Sequence, residues 1–548
     1  MRPIPCVKRN FLRPFLFIFT FIFVSLSYQS PSVARPGDLD LNFGEGNGIV
    51  RQNLALTCVD RPCNNITNLP SIYKTSQGKY LISGYAYVAF DRSRDTTSYL
   101  ARLNADGSLD ERFGSFGIIQ EMNPNMQGFI IKPLSDGKIL KGGTAFLQRL
   151  NSDGSIDTSF GIHGMAEGLG SASGVGSSAE GAVLAVQADG KILMTVHLYV
   201  SVDGRGEFQS YISRYLPTGF LDRSFGNSGR INFPIDRSVA STHINGSRTP
   251  NVGELIPLPD GRLLVSAYPN RSIQIGVYDT QGRLDTNFAR SSSTPGILQE
   301  TRGAENMSSI FSVLQGTGIT PEGKILKAMN IYSSVSNANQ PGRYTIITSL
   351  GLFRYNADGT PDNSFGTNGF LVMRNVDYIG EALKLLPNGK ILIAAETKGL
   401  GEEIPFQPSF GNSHYTLLSF NSDGSPNNDF GINGRVETPI RSHDLFKSWV
   451  LEEQRGGFFQ PDLHDCKITL LGTSTERSDE GRFGGAPTHN ETILLRYDLE
   501  NCGDGSSPTI IQNIPTILYH LPIQLDYFKP RPIDPPAKIQ TENNLNQK

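Results

Sequence analysis

A single tryptophan, Trp449, stands among 548 residues, so a sugar-stacking platform built on indole is nearly excluded and would have to use Tyr or Phe instead. Excess positive charge is missing too: 49 Lys and Arg against 52 Asp and Glu leave a formal charge of −3. Without a basic stripe there is no electrostatic footprint for a phosphate backbone, and nucleic acid is not an expected partner. After residue 35 no apolar run approaches the roughly 20 residues that a spanning helix needs, so no membrane span is expected in the mature chain. Long stretches with apolar residues at helical spacing are also absent, which points to a nearly all-β chain. Nor is there a Gly-x-Ser-x-Gly elbow, a Gly-x-x-x-x-Gly-Lys loop or a His-Glu-x-x-His pair, and the eight histidines are scattered.

What is present begins with an export signal over residues 1–34. Arg2, Lys8, Arg9 and Arg13 precede the apolar run Phe15 to Leu26, and Ser32-Val33-Ala34 supplies a small-residue cleavage pattern. Cleavage near Ala34 is expected, with a cut near Ser27 or a retained anchor as the alternatives. Removing the four signal cations leaves 45 positive against 52 negative groups, or −7. The expected location is outside the cytoplasm: secreted, at the cell surface or in a periplasm. Cys6 leaves with the signal, and Cys58, Cys63, Cys466 and Cys502 remain. Four cysteines in an oxidising setting read as disulfides. Nearness in sequence favours Cys58 with Cys63 and Cys466 with Cys502, while a bridge from the first repeat to the last stays open, as does the weaker zinc reading. Asn-x-Ser/Thr sequons stand at Asn65, Asn245, Asn270, Asn306 and Asn490.

Repeats decide the architecture. Ser135-Asp136-Gly137-Lys138-Ile139-Leu140 returns with Gly190, Gly261, Gly323 and Gly389 at the turn, and in degenerate form at residues 76–81 and 464–469, which makes seven copies. A second phrase, Leu109-Asp110-Glu111-Arg112-Phe113-Gly114, sets Phe43, Phe113, Phe160, Phe225, Phe288, Phe365 and Phe430 in equivalent positions. A third, Arg102-Leu103-Asn104-Ala105-Asp106-Gly107, precedes the second and recurs at 149–154 and 354–359. Asp-Gly between apolar stretches predicts a hairpin in which both turn residues take positive φ. Four short antiparallel strands per unit, seven times over, bury both faces of each small sheet only if the units stack. Radial stacking does this with short, protected edges. The expectation is therefore a β-propeller of seven four-stranded blades, with the phenylalanines as wedges between blades and the N-terminal strand completing the last blade. An open β-solenoid is the alternative.

These phrases resemble the delta-60 repeat, a propeller-forming repeat of exported, chiefly bacterial proteins. The resemblance runs over about residues 37 to 500 and implies a propeller of unsettled function with no catalytic residues to carry over.

Asn104, Asp106 and Asp110 have the look of a calcium loop, but the closing acid of an EF-hand would fall on Ser115, so the residues read as turn formers and no cofactor is expected; repeat-linked calcium is the weaker reading. Three regions follow: the signal at 1–34, a propeller at 35–502 and a Pro-rich, extended or disordered tail at 503–548. The strong signals all serve turns and strand cores. The expected function is thus a non-catalytic binding module that presents insertion loops around 228–253, 290–318, 330–350, 397–414 and 437–462 to a protein or glycan partner. A hydrolase or lyase acting on an extracellular polymer at the channel mouth is the rival, because residues gathered from different blades leave no linear motif. A scaffold of the cell envelope is the third reading.

Overall fold

The computed structural model describes residues 36–499 apart from 45, 53, 55–56, 59–60, 63–64, 88–95, 123–128, 144–145, 169–182, 203–204, 233–250, 269–272, 301–314, 337–343, 375, 387, 399–412, 439–457, 463–466 and 477–488. The signal region, Cys63, Cys466, Cys502 and the tail lie outside the described residues. So does the side chain of Cys58, and the disulfide pairings stay expectations.

No helix occurs among the described residues; the chain folds as seven antiparallel blades. Blade 1 holds β4 (Asn65–Lys74), β5 (Tyr80–Tyr87), β6 (Thr96–Leu103) and β7 (Ile118–Met122), and blade 2 holds β8 (Ile130–Pro133), β9 (Ile139–Gly143) and β10 (Phe146–Leu150). In blade 2 the fourth strand shrinks to the bridge between Gln148 and Met165. Blade 3 comprises β11 (Leu184–Val186), β12 (Ile192–Val202), β13 (Arg205–Tyr215) and β14 (Arg230–Ile231), and blade 4 comprises β15 (Asn251–Pro257), β16 (Leu263–Tyr268), β17 (Ile273–Tyr278) and β18 (Ile297–Glu300). Blade 5 has β19 (Gln315–Ile319), β20 (Ile325–Ser336), β21 (Tyr344–Tyr355) and β22 (Phe370–Arg374); blade 6 has β23 (Val376–Leu385), β24 (Ile391–Lys398), β25 (Ser413–Phe420) and β26 (Arg435–Thr438). Blade 7 takes β27 (Phe458–Asp462), β28 (Lys467–Glu476) and β29 (His489–Asp498) from the end of the repeats and its outermost strand, β1 (Ile49–Gln52), from their beginning. A small hairpin, β2 (Thr57–Cys58) with β3 (Arg61–Pro62), lies between β1 and blade 1. The innermost strands β4, β8, β11, β15, β19, β23 and β27 touch in that order, and β27 returns to β4. That contact order is a closed β-propeller.

The core is divided among the interfaces between blades. Phe113 is buried with Leu81 and Leu100 of blade 1 and with Ile131, Ile139 and Leu150 of blade 2. Phe160 joins Leu140 to Met194 and Tyr215, and Phe225 joins Leu193 to Leu255 and Leu263. Phe288, Phe365 and Phe430 sit likewise in the next clusters, and Phe43 is buried with Leu494 of blade 7 and Tyr80 and Tyr99 of blade 1.

One expectation about the turns is corrected. At residues 135–137 only Gly137 has positive φ, at 84°, and the same holds at Gly190, Gly261, Gly323 and Gly389. Gly137 N–H donates to the Leu134 carbonyl and Leu134 N–H to the Lys138 carbonyl, so the loop has three residues, an ordinary β-turn followed by one left-handed glycine. Asp136 keeps negative φ because its carboxylate accepts the Lys138 N–H at 3.0 Å, a bond that rewards the right-handed turn. The stretch 330–350 also differs from a plain insertion: both of its ends are paired strand in β20 and β21.

Candidate functional site

Direction along the meander sorts the connections onto two faces. The links from first to second strand and from third to fourth strand leave one end of each blade, here the turn face. The third-to-fourth links span residues 104–117, 151–164, 216–229, 356–369 and 421–434, fourteen residues each, and only 279–296 in blade 4 is longer. All remaining links leave the opposite face, and they range from the single residue 375 to the segments 169–182, 233–250, 399–412 and 439–457. Four of the five sequence-expected insertions centre on links of that variable face, while 290–318 begins in the turn-face link 279–296, crosses β18 and continues into the variable-face link after it.

On the turn face one ionic motif recurs. Asp110 accepts from Lys79 at 2.6 Å and from Arg102 at 2.7 Å. The guanidinium lies 4.5 Å from the ring centroid of Phe113 and donates to the Ser152 carbonyl in blade 2. Arg149, Asp157, Lys138 and Phe160 repeat the arrangement, with the Pro217 carbonyl of blade 3 as acceptor at 2.8 Å. Lys138, then Ser159 and Arg149, hold the Asp157 carboxyl well below the usual carboxylate range. Arg214 with Asp222, and Arg354 with Asp362, follow suit. At the seam, Arg496 and Lys467 of blade 7 meet Asp40 from the other end of the repeats at 2.6 and 2.9 Å, above Phe43. Blade 4 has Val277 in place of the arginine, and blade 6 has the neutral pair Ser419 and Asn427, 3.0 Å apart. Six of the seven phenylalanines are followed by glycine for a steric reason: a Cβ on Gly161 would stand 1.9 Å from the Met165 carbonyl oxygen. Blade 4 has Ala289 there, at a φ of 45° and within its longer link.

The residues that resembled a calcium loop are committed to these turns. Asp106 accepts the N–H and hydroxyl of Ser108 at 2.9 and 2.7 Å, Asn104 donates to the Ser108 hydroxyl, and Asp110 belongs to the ion triad. The five glycines of the first phrase turn hairpins, and the seven phenylalanines lie beneath the triads or their replacements. None of these residues is gathered into a reactive centre.

A different polar group, not anticipated from the sequence, lies at the channel wall between blades 4 and 5. Lys327, on β20, is completely buried. Its ammonium donates to Glu254 on β15, to the Thr317 hydroxyl on β19 at 2.8 Å and to the Ser266 hydroxyl on β16 at 3.0 Å. Thr317 in turn donates to Glu254 Oε2 at 2.7 Å. Glu254 follows a bulge between Val252 and Glu254, a distortion that re-aims a strand side chain. Burial pushes the Lys327 ammonium below the ordinary lysine value, and Glu254 opposes that push. Glu254 and Thr317 stand on the innermost strands β15 and β19, and the carboxylate is 15% exposed. The available signal was the residue just after the first phrase: Ile82, Met194, Val265 and Ile393 in four blades, Lys141 and Lys327 in two.

The family described as "Domain of unknown function (DUF5122) beta-propeller" matches residues 76–113, 134–160 and 343–365. Among solved structures, the chain is similar to a protein of unknown function from Dyadobacter fermentans DSM 18053, at 11% identity and a TM-score of 0.35, over 82% of this chain and 99% of that one. It is similar to the polysaccharide lyase Uly1 at 12% identity and a TM-score of 0.40, over 82% and 91%. A streptogramin B lyase aligns at 9% identity and a TM-score of 0.35, over 82% and 97%. No curated protein matches the chain.

Proposed function

We propose that the chain is an exported interaction module that holds a protein or glycan partner on the face carrying its variable connections. One observation carries the reading: apart from 279–296 in blade 4 the turn face keeps its third-to-fourth links at one length and uses its charged groups on neighbouring blades, while the links of the opposite face range from the single residue 375 to the segment 439–457. Variation on a constant frame is how a scaffold carries recognition. Export rests on the basic residues, apolar run and small-residue pattern of the first 34 positions.

The test is incubation of the purified chain with a panel of matrix glycans and cell-envelope proteins, scoring retention and cleavage by mass spectrometry. Retention without cleavage, lost when 233–250 and 439–457 are each replaced by a short Gly-containing turn, is the expected result. Cleavage of a polymer would overturn it in favour of a hydrolase or lyase, a reading that the Glu254 and Lys327 pair at the channel wall favours.

A further inference from the structure

Blade 5 departs from the repeat at one cross-strand pair. On the two innermost strands, Ile72 lies opposite Ile82, Leu184 opposite Met194, Leu255 opposite Val265 and Leu383 opposite Ile393. At the same register blade 5 has Thr317 opposite Lys327. The fold does not need this substitution, since four blades close with hydrocarbon there. A buried ion pair generally gives no advantage over packed hydrocarbon of similar volume. Local rules broken without structural gain are the mark of a functional position.

Blade 2 makes half of the same change and so serves as a control. Lys141 lies opposite Ile131, and its acceptor is Glu121 on β7, the outermost strand of blade 1. In blade 5 the acceptor comes instead from β15, an innermost strand.

We infer that Glu254, braced by Lys327 and Thr317, is a hydrogen-bonding post in the central channel for a neutral, hydroxyl-rich ligand, that is, a carbohydrate. The lysine and the threonine both engage Oε2. No partner for Oε1 is recorded among the described residues, and that oxygen is left to an incoming donor. A carboxylate held from behind makes short, charge-assisted hydrogen bonds to hydroxyls at little ordering cost. The ammonium behind it selects against cations, because a second positive group approaching Oε1 meets repulsion across the width of one carboxylate. A sugar hydroxyl brings no charge and meets none. This site is built from strand residues and not from the variable connections, and its failure would leave the interaction reading intact.

The experiment is binding of cellobiose, maltose and N,N′-diacetylchitobiose to the purified chain by saturation-transfer NMR and calorimetry, with putrescine as the cationic comparison. The expected result is that at least one disaccharide binds, that putrescine does not, and that Glu254→Gln weakens binding at least tenfold. Should Glu254→Gln misfold by taking the carboxylate from Lys327, the triple variant Glu254→Leu, Thr317→Val, Lys327→Met replaces the three side chains with hydrocarbon. It is expected to fold with an unchanged or higher unfolding midpoint and to lose the disaccharide. Absence of disaccharide binding to the unmodified chain, equal binding by the triple variant, or binding of putrescine in place of sugar would each overturn the inference.

Discussion

The seam between blades 7 and 1 and the interface between blades 4 and 5 both bury charge, in opposite relation to the repeat. At the seam Asp40, Arg496 and Lys467 reproduce the triad found inside the ring, although the acid and the arginine are 456 residues apart in sequence. Between blades 4 and 5 the triad arginine is missing, its place taken by Val277 although Arg262 still meets Asp285, and a further charged pair joins Lys327, at a position where four blades have hydrocarbon, to Glu254. Charge that follows the frame holds blades together; charge that breaks it must be explained by something other than the frame.

The comparison can be broken most forcefully at its apolar base. Phe43→Ala at the seam and Phe113→Ala inside the ring should each lower stability by about 3–5 kcal/mol in urea unfolding, because each empties a closed cavity between blades. If Phe43→Ala costs much less, closure does not rest on the same wedge as the other interfaces. Next in size, Asp40→Ala takes the shared carboxylate from the half-buried Arg496 and Lys467, of which the lysine keeps Asp498, and should cost about 1–3 kcal/mol, matched by Asp157→Ala in blade 2. The reverse sign is expected between blades 4 and 5. There the hydrocarbon triple variant should be neutral or more stable by about 1–4 kcal/mol, read as an unchanged or raised denaturant midpoint.

The smallest effects are in pH. The Asp157 carboxyl is depressed in the folded state, so its contribution is present above the ordinary value of 3.8 and is lost as pH falls through the folded value. Asp157→Asn should therefore flatten the acid limb of the stability profile below about pH 4. Lys327 has a linkage of the same sign at the other end of the pH scale. Its folded value is lowered from 10.5, the unfolded chain binds more protons, and stability rises with pH between the two values. Lys327→Met should remove that rise on the alkaline side, as measured by unfolding midpoints from pH 7 to about pH 10.

Much of the fold was legible because the repeat phrases fall on its strictest positions. Phe at the wedge, Gly where a Cβ would meet a carbonyl, and Asp at the hairpin turn are each dictated by local geometry, so they recur and can be counted. The ring's closure was legible for a related reason: the repeats open on the second phrase at Leu39 and end on the third at Arg496, each lacking what the other supplies. The turn class was misjudged because Asp-Gly suits two loop lengths, and a side-chain bond from Asp136 decides between them. The polar cluster was not legible in a linear reading. Lys327 falls one position beyond the recurring phrase that ends at Leu326, and its partners come from three other strands. A lysine after a hydrophobic dipeptide is ordinary until the same position is compared across blades. The histidines and the sequons gave no guide to the site, since neither is part of the frame.

The pairing of β1 with β29 also sets a timetable. During synthesis β1 is made long before β29, its partner, so residues 36–52 must wait while more than four hundred residues follow. A chain cut short before Arg496 would carry two raw strand edges, one at each end of an open arc, and each edge fits the other end of a second such chain. Incomplete molecules of this protein are therefore predisposed to join one another, and the finished ring is what removes that hazard.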